Sequence, residues 1–319
     1  MRCFVTGGGG FIGSRAVRQM VTEGWEIAVL VRPGESLWRI EDIQSRLEFL
    51  EAELSWGDAL GEFLRSWHPE SCLHCAWHAE PGKYLESEKN IDCLKDSIGL
   101  LENLIAAGCK NVVMVGSCAE YDTAAAFLKE DGPLRPSTLY GAAKLATSLV
   151  AEKLAAQGGV RFAWARMFYL FGQDEDRRRM VPAAILALLD GREFPATTGD
   201  QVRDYLHVDD AASGLLTLLR QAASGVYNVC STEPVTVRRI LQTIEEEIGR
   251  PGLIRFGSMP YRHWEPPFIC GDSSRLRELG WRPRYELPEA VRLTIEHWRT
   301  RSNPEETKLS KLRKNDHHA

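Results

Sequence analysis

The feature that most constrains this chain is a set of glycines placed between a strand pattern and a helix pattern. Residues 3–6 are apolar or β-branched. Gly7, Gly10 and Gly13 follow at three-residue spacing, with Phe11 and Ile12 between the last two, and helical periodicity begins at about Ile12. A strand that turns through glycine straight into a helix brings its backbone close to a bound anion and aims the first-turn amides and the positive helix end at it. Alone, four consecutive glycines also suit a merely flexible turn; between strand and helix they predict the pyrophosphate turn of a dinucleotide site.

Short apolar runs at 27–31, 47–50, 72–76 and 112–116 alternate with longer helical patterns, of which 91–107 and 139–155 are the clearest; Gly158 and Gly159 stop the latter. This order predicts an α/β fold, a Rossmann-type doubly wound parallel sheet covered on both faces by helices, with ligands at the carboxyl ends of the strands. After residues 162–165 the pattern is broken at Gly172, Pro182, Gly191, Pro195 and Gly199, which predicts the loops of a smaller C-terminal substrate-binding lobe. A run at 225–229 and a helix at 237–248 return the chain toward the main sheet. The expected organisation is a dinucleotide-binding domain at 1–170 with return segments at 201–230, a lobe mainly within 171–300, and a disordered tail at 302–319.

With 44% hydrophobic and 26% charged residues and a formal net charge of -5, the 319-residue chain has the composition of a soluble globular protein and not of a nucleic-acid binder, so an anionic ligand must be met by local charges. The eight cysteines are scattered through apolar runs, which predicts a reduced, cytoplasmic protein. Cys72 and Cys75 form a lone C-x-x-C inside such a run, without the second pair a zinc site needs, so no metal is expected. No apolar stretch approaches the roughly twenty residues of a membrane span.

Three positions carry candidate chemistry. Tyr140 and Lys144 stand one turn apart on a helix face, so an ammonium can approach a phenol; a cation there favours the phenolate and suits tyrosine to acid/base work. Taken by itself this is also a common surface pair. Ser117 follows the strand at 112–116, where its hydroxyl can meet a substrate oxygen or simply cap a turn. Arg32 follows the second strand, where a site selective for NAD carries an acidic residue on the ribose; a guanidinium there suits the 2′-phosphate of NADP(H). Glu35, in the Pro33-Gly34 turn, keeps NAD(H) open as an alternative.

These segments, with 73–77, Asn90, 166–172 and 203–210, resemble the extended short-chain dehydrogenase/reductase family of nucleotide-sugar epimerases and dehydratases over roughly residues 1 to 300. The resemblance implies that Ser117, Tyr140 and Lys144 form the catalytic triad, that Glu53 and Leu54 flank the adenine, and that Ala76 lines the nicotinamide. It also implies that Arg203 and Arg262 grip a substrate diphosphate, and that Tyr169 stands where many epimerases place a substrate-contacting asparagine. A homodimer through the helices at 91–107 and 139–155 is implied as well.

The departures from the family pattern narrow the chemistry. Family dehydratases resemble one another in an Asp-Glu pair after the catalytic hydroxyl; here those positions are Cys118 and Ala119, which supply no matching acid and base. Arg32, together with segments 74–84 and 168–172 that resemble those of 4-ketoreductases, leads to the expectation of NADPH-dependent reduction of a 4-keto deoxysugar nucleotide. The alternatives are an NAD-dependent nucleotide-sugar 4-epimerase, a reductase of a non-sugar ketone, and a catalytically silent dinucleotide-binding protein.

Overall fold

A computed structural model describes residues 1–54, 58–124, 127–261 and 265–302. The chain divides into two compact units, one of Met1–Leu170, Asp204–Pro234 and Phe268–Arg284, the other of Phe171–Arg203, Val235–Pro267 and Tyr285–Ala319.

The first unit is built on β1 (Arg2–Thr6), α1 (Phe11–Thr22), β2 (Glu26–Val31), β3 (Glu48–Glu51), α2 (Asp58–Trp67), β4 (Ser71–His74), α3 (Lys89–Ala106), β5 (Asn111–Ser117), α4 (Leu139–Gln157) and β6 (Arg161–Met167). With the later strand Gly225–Val229 these make a seven-stranded sheet, ordered Gly225–Val229, β6, β5, β4, β1, β2, β3, in which every pairing is parallel. The expected doubly wound α/β fold is therefore present.

Strand alternation sorts the core into two layers. Cys3 and Val5 pack with Val17 and Met20 of α1 and with Leu215 and Leu219 of the helix Val208–Arg220. Phe4 faces the other way, onto Leu64 of α2, Leu100 and Leu104 of α3 and Ala151 of α4. Because β1 pairs with both β2 and β4, successive connections leave it in opposite directions, and a crevice opens at the carboxyl ends of β1 and β4.

Two sequence expectations change. β4 ends at His74, not at residue 76: Cys75 still donates its N–H to the Thr6 carbonyl (3.0 Å), but the chain then passes under the glycine turn. Within the stretch expected as loops, the second unit forms a helix, Met180–Leu189, with Pro182 as its third residue. The first-turn N–H groups of a helix have no partner inside it, so proline costs nothing there. This unit also holds the helices Val237–Ile248 and Leu287–Ser302 and a parallel pair of strands, Phe194–Ala196 with Ile254–Phe256. Val237–Ile248 begins where Thr236 Oγ1 accepts the Arg239 N–H (3.0 Å) and stops at Gly249, whose φ of +76° glycine adopts without strain. The tail expected at 302–319 lies, beyond Ser302, outside the described residues. No helix among the described residues is long and apolar enough to cross a membrane.

Candidate active site

The glycine turn leaves β1 at Thr6. Gly7 has φ +70°, and a Cβ there would lie 2.7 Å from the Ala76 nitrogen. A Cβ on Gly13 would lie 2.8 Å from the Gly7 carbonyl carbon and nearer still to its oxygen. Both positions therefore require glycine. Gly10 caps α1 without a side-chain acceptor, its own N–H bonded to Gly7 O (3.0 Å), and no acidic residue occupies the first turn. The amides from Phe11 onward are thus left for an anion at the positive end of the helix. The turn fits the pyrophosphate of a dinucleotide.

At the end of β2 the two candidates for the adenosine ribose separate. The Arg32 side chain is 65% exposed, with Nε 3.5 Å from Glu35 Oε2. Glu35 is more enclosed; Oε2 accepts the Arg32 backbone N–H (3.1 Å), and Oε1 lies 3.4 Å from where a Cβ on Gly9 would stand. The group held over the glycine turn is therefore a carboxylate. Glu53 is exposed just after β3, and half-buried Leu54 packs on the α2 to α4 layer of the core. Ala76 lies beneath Gly7, its N–H directed at Thr6 Oγ1 (3.4 Å).

Under this crevice, Thr6 Oγ1 and His74 Nδ1 are 2.6 Å apart, and His74 Nε2 is 2.8 Å from Ser97 Oγ. Ser97 spends its proton on the Cys93 carbonyl (2.6 Å), so Nε2 carries the imidazole proton and Thr6 donates to Nδ1. Burial holds the His74 pKa down to about 3, and the ring is neutral.

Ser117, the last residue of β5, both caps a turn and faces the phenol. Its Oγ accepts the Ala119 N–H (3.2 Å), Glu120 Oε1 accepts the Ser117 N–H (2.7 Å), and its side chain lies near enough to the Tyr140 phenol to favour the phenolate. Tyr140 is the second residue of α4, a helix capped by Thr138 Oγ1 on the Gly141 N–H (3.1 Å). A Cβ on Gly141 would lie 3.1 Å from the Ala119 carbonyl carbon and closer to its oxygen; the glycine lets α4 press onto the Ser117 turn. Burial pushes the Tyr140 phenol above its ordinary pKa, and the Ser117 side chain opposes that.

Lys144 is 3% exposed. Its ammonium donates to the Val115 carbonyl (2.6 Å) and sits 3.6 Å from the centroid of the Trp77 ring. Burial holds its pKa down to about 7, against the attraction of Glu120. Trp77 and Tyr84 both stand edge-on to Tyr140, at 6.3 and 4.9 Å between centroids. Asn90, fully buried at the start of α3, ties the two together: Oδ1 accepts from Trp77 Nε1 (2.9 Å) and Nδ2 donates to the Tyr84 carbonyl (2.7 Å).

Glu120 is the residue that sequence reasoning passed over, although Ser117 and Glu120 form the S-x-x-E signature of a capping box. It is fully buried and accepts from Ser117 N–H, Trp164 Nε1 (3.0 Å) and Arg166 Nε (2.8 Å). Burial raises its pKa and Arg166 opposes the rise.

Tyr169 is half-buried on the short strand Tyr169–Phe171, edge-on to Tyr205 at 6.1 Å. Arg203 belongs to the second unit and is 1% exposed, its guanidinium donating to the Val202 carbonyl and to Glu265 Oε1, both at 2.7 Å. Arg262 lies outside the described residues.

Known proteins with this architecture include nucleotide-sugar 4-epimerases and 4,6-dehydratases. A UDP-glucose 4-epimerase of Azospirillum brasilense is 27% identical, covering 93% of this chain and 91% of its own. The Thermus thermophilus UDP-glucose 4-epimerase in complex with NAD superposes with a TM-score of 0.80 at 25% identity, covering 94% of this chain and 99% of that one. For the Thermotoga maritima UDP-glucose 4-epimerase with UDP-glucose the TM-score is 0.83 at 24% identity, with the same coverage. These relatives are isomerases, and they overturn the expectation of NADPH-dependent 4-keto reduction. The expectation leaned on Arg32, whereas the structure holds Glu35 over the turn. A family model for the NAD dependent epimerase/dehydratase family matches residues 3–230, and the chain belongs to that family.

Proposed function

We propose that the protein is an NAD-dependent 4-epimerase of a UDP-hexose. The reading is carried by the Ser117–Tyr140 pair, with Lys144 buried one turn behind and no acid/base pair at Cys118 and Ala119. Such a site exchanges a proton at one hydroxyl but cannot drive elimination of water. The full-length likeness to UDP-glucose 4-epimerases supports the same reading.

The first unit is the dinucleotide-binding domain in this reading, and the second is the substrate-binding lobe. Gly7, Gly10, Phe11, Ile12 and Gly13 cradle the pyrophosphate. Glu35 accepts from the adenosine ribose, which makes the dinucleotide NAD(H) and not NADP(H). Glu53 and Leu54 border the adenine, and Ala76 borders the nicotinamide. When bound, NAD supplies a reversible hydride acceptor. Tyr140 takes the proton from the C4 hydroxyl and later returns it, Ser117 hydrogen-bonds the same oxygen, and the Lys144 ammonium holds the dinucleotide ribose and favours the Tyr140 phenolate. Arg203 and Arg262 meet the diphosphate; for Arg203 the phosphate oxygens replace Glu265 on the guanidinium. Tyr169 lies along the hexose.

The homodimer remains part of the proposal. Leu149 and Val150 of α4 are exposed beside Ile98 of α3, an apolar strip that a second copy covers.

The test is proton NMR of UDP-glucose incubated with the protein and NAD. Formation of UDP-galactose, abolished by Tyr140→Phe, supports the reading; intact UDP-glucose after many enzyme equivalents overturns it.

A further inference from the structure

The ammonium of Lys144 has an unusual neighbour. Position 77 follows Ala76 where the chain passes beneath the glycine turn, so its side chain stands between the dinucleotide crevice and α4. Trp77 presents its ring face to Lys144 Nζ at 3.6 Å from the centroid, while Val115 O accepts from the same ammonium at 2.6 Å. The indole cannot swing away freely, because Nε1 is tied to Asn90 Oδ1 (2.9 Å) and Asn90 is fully buried. A cation stripped of water is strongly attracted to a tryptophan face, far more than one at an exposed surface.

We propose that Trp77 is a positioning residue, which holds the Lys144 ammonium charged and in place through its indole face. The inference rests on the assignment of Lys144 to the reaction, but it can be tested without turnover.

Burial drives Lys144 toward the neutral amine and outweighs the attraction of Glu120, leaving its pKa at about 7. Facing it from the surrounding elements are Glu120 after β5, Cys93 on α3, and Cys75 and neutral His74 at the end of β4. Of these only Glu120 is a carboxylic acid; burial raises its pKa, and its carboxylate already serves Arg166. The Trp77 face, with the Val115 carbonyl and the more distant Trp164 ring at 5.8 Å, favours the ammonium without a second proton equilibrium, and of the two rings Trp77 is the nearer. A neutral Lys144 would cease to favour the Tyr140 phenolate, so loss of the ring face should move the alkaline limb of activity to lower pH.

The experiment follows the Lys144 titration by NMR in protein labelled with [13C]lysine, its resonance identified by absence in Lys144→Met. The pH profile of UDP-glucose epimerisation is recorded alongside. Trp77→Leu removes the ring, and Trp77→Phe keeps a ring face but loses the bond to Asn90. In Trp77→Leu both the titration and the alkaline limb should fall by about 0.4 to 1.5 pH units. Trp77→Phe should recover most of that shift. Unchanged titration in Trp77→Leu overturns the inference, and so does an equal shift in both variants, which would place the effect in the Asn90 hydrogen bond. Should Trp77→Leu not fold, Trp77→Met fills the space without a ring and takes its place. Wild type that binds NAD yet does not turn over UDP-glucose defeats the epimerase reading alone, because the Lys144 resonance still decides the role of Trp77.

Discussion

Gly141→Ala sets two opposed effects against each other. Alanine in place of a helical glycine is favoured by about 1 kcal/mol from propensity alone, so the substitution should stabilise α4. The structure predicts otherwise. The new methyl would stand 3.1 Å from the Ala119 carbonyl carbon and 3.0 Å from Pro136 Cβ. Carbon atoms at rest are about 3.5–4.0 Å apart, so α4 must retreat by roughly 0.5–1 Å from the turn that carries Ser117. Overpacking of this kind costs about 1–3 kcal/mol, which equals or exceeds the gain in propensity. The net effect is a loss of up to about 2 kcal/mol in stability. The larger consequence falls on chemistry, since Tyr140 precedes Gly141 and moves with the helix. A displacement near 1 Å between reacting groups can lower kcat on the order of 100-fold. NAD affinity, set at the glycine turn, should stay within about threefold, a change of less than 1 kcal/mol. Thermal melts, NAD titration and initial rates of UDP-glucose epimerisation test all three. A variant with raised melting temperature and kcat within twofold of wild type would refute the close contact and the argument built on it.

Further outcomes are expected. Glu35→Ala should weaken NAD about tenfold, equivalent to about 1.4 kcal/mol, in fluorescence titrations, whereas Arg32→Ala should leave NAD binding nearly unchanged; the opposite ranking would return the ribose to Arg32. His74 is neutral in the fold with its pKa at about 3, so the unfolded chain binds one more proton than the fold from about pH 6.5 down to that value. Its contribution is complete above pH 6.5 and falls by up to about 1.4 kcal/mol per pH unit below it, and denaturant unfolding of His74→Gln should show a flatter acid limb than wild type. Leu149→Glu with Val150→Lys should leave a single-chain mass in light scattering while wild type gives two; one chain in both would end the dimer proposal.

What was legible in the sequence is what is local along the chain. The run from β1 through Gly7, Gly10 and Gly13 into α1 states its own conformation, and the strand and helix periods identify the parallel α/β architecture. Tyr140 and Lys144 are placed on one face by helical spacing alone. Periodicity failed at Met180–Leu189, where Pro182 reads as a breaker although the first turn accepts it. It was silent on Glu120, whose partners Trp164 and Arg166 lie on the neighbouring strand.

The sequence by itself determined the alternation of strands and helices, the glycine turn and the one-turn spacing of phenol and ammonium, because each is a pattern among residues close in the chain. Only the tertiary structure decided that Glu35 and not Arg32 reaches over Gly9, that Gly141 presses Tyr140 against Ser117, and that Trp77 covers Lys144. These meetings depend on which strands lie side by side and how far each side chain reaches across the carboxyl edge of the sheet. Distances of that kind are set by strand order and packing, and no spacing along a single chain records them.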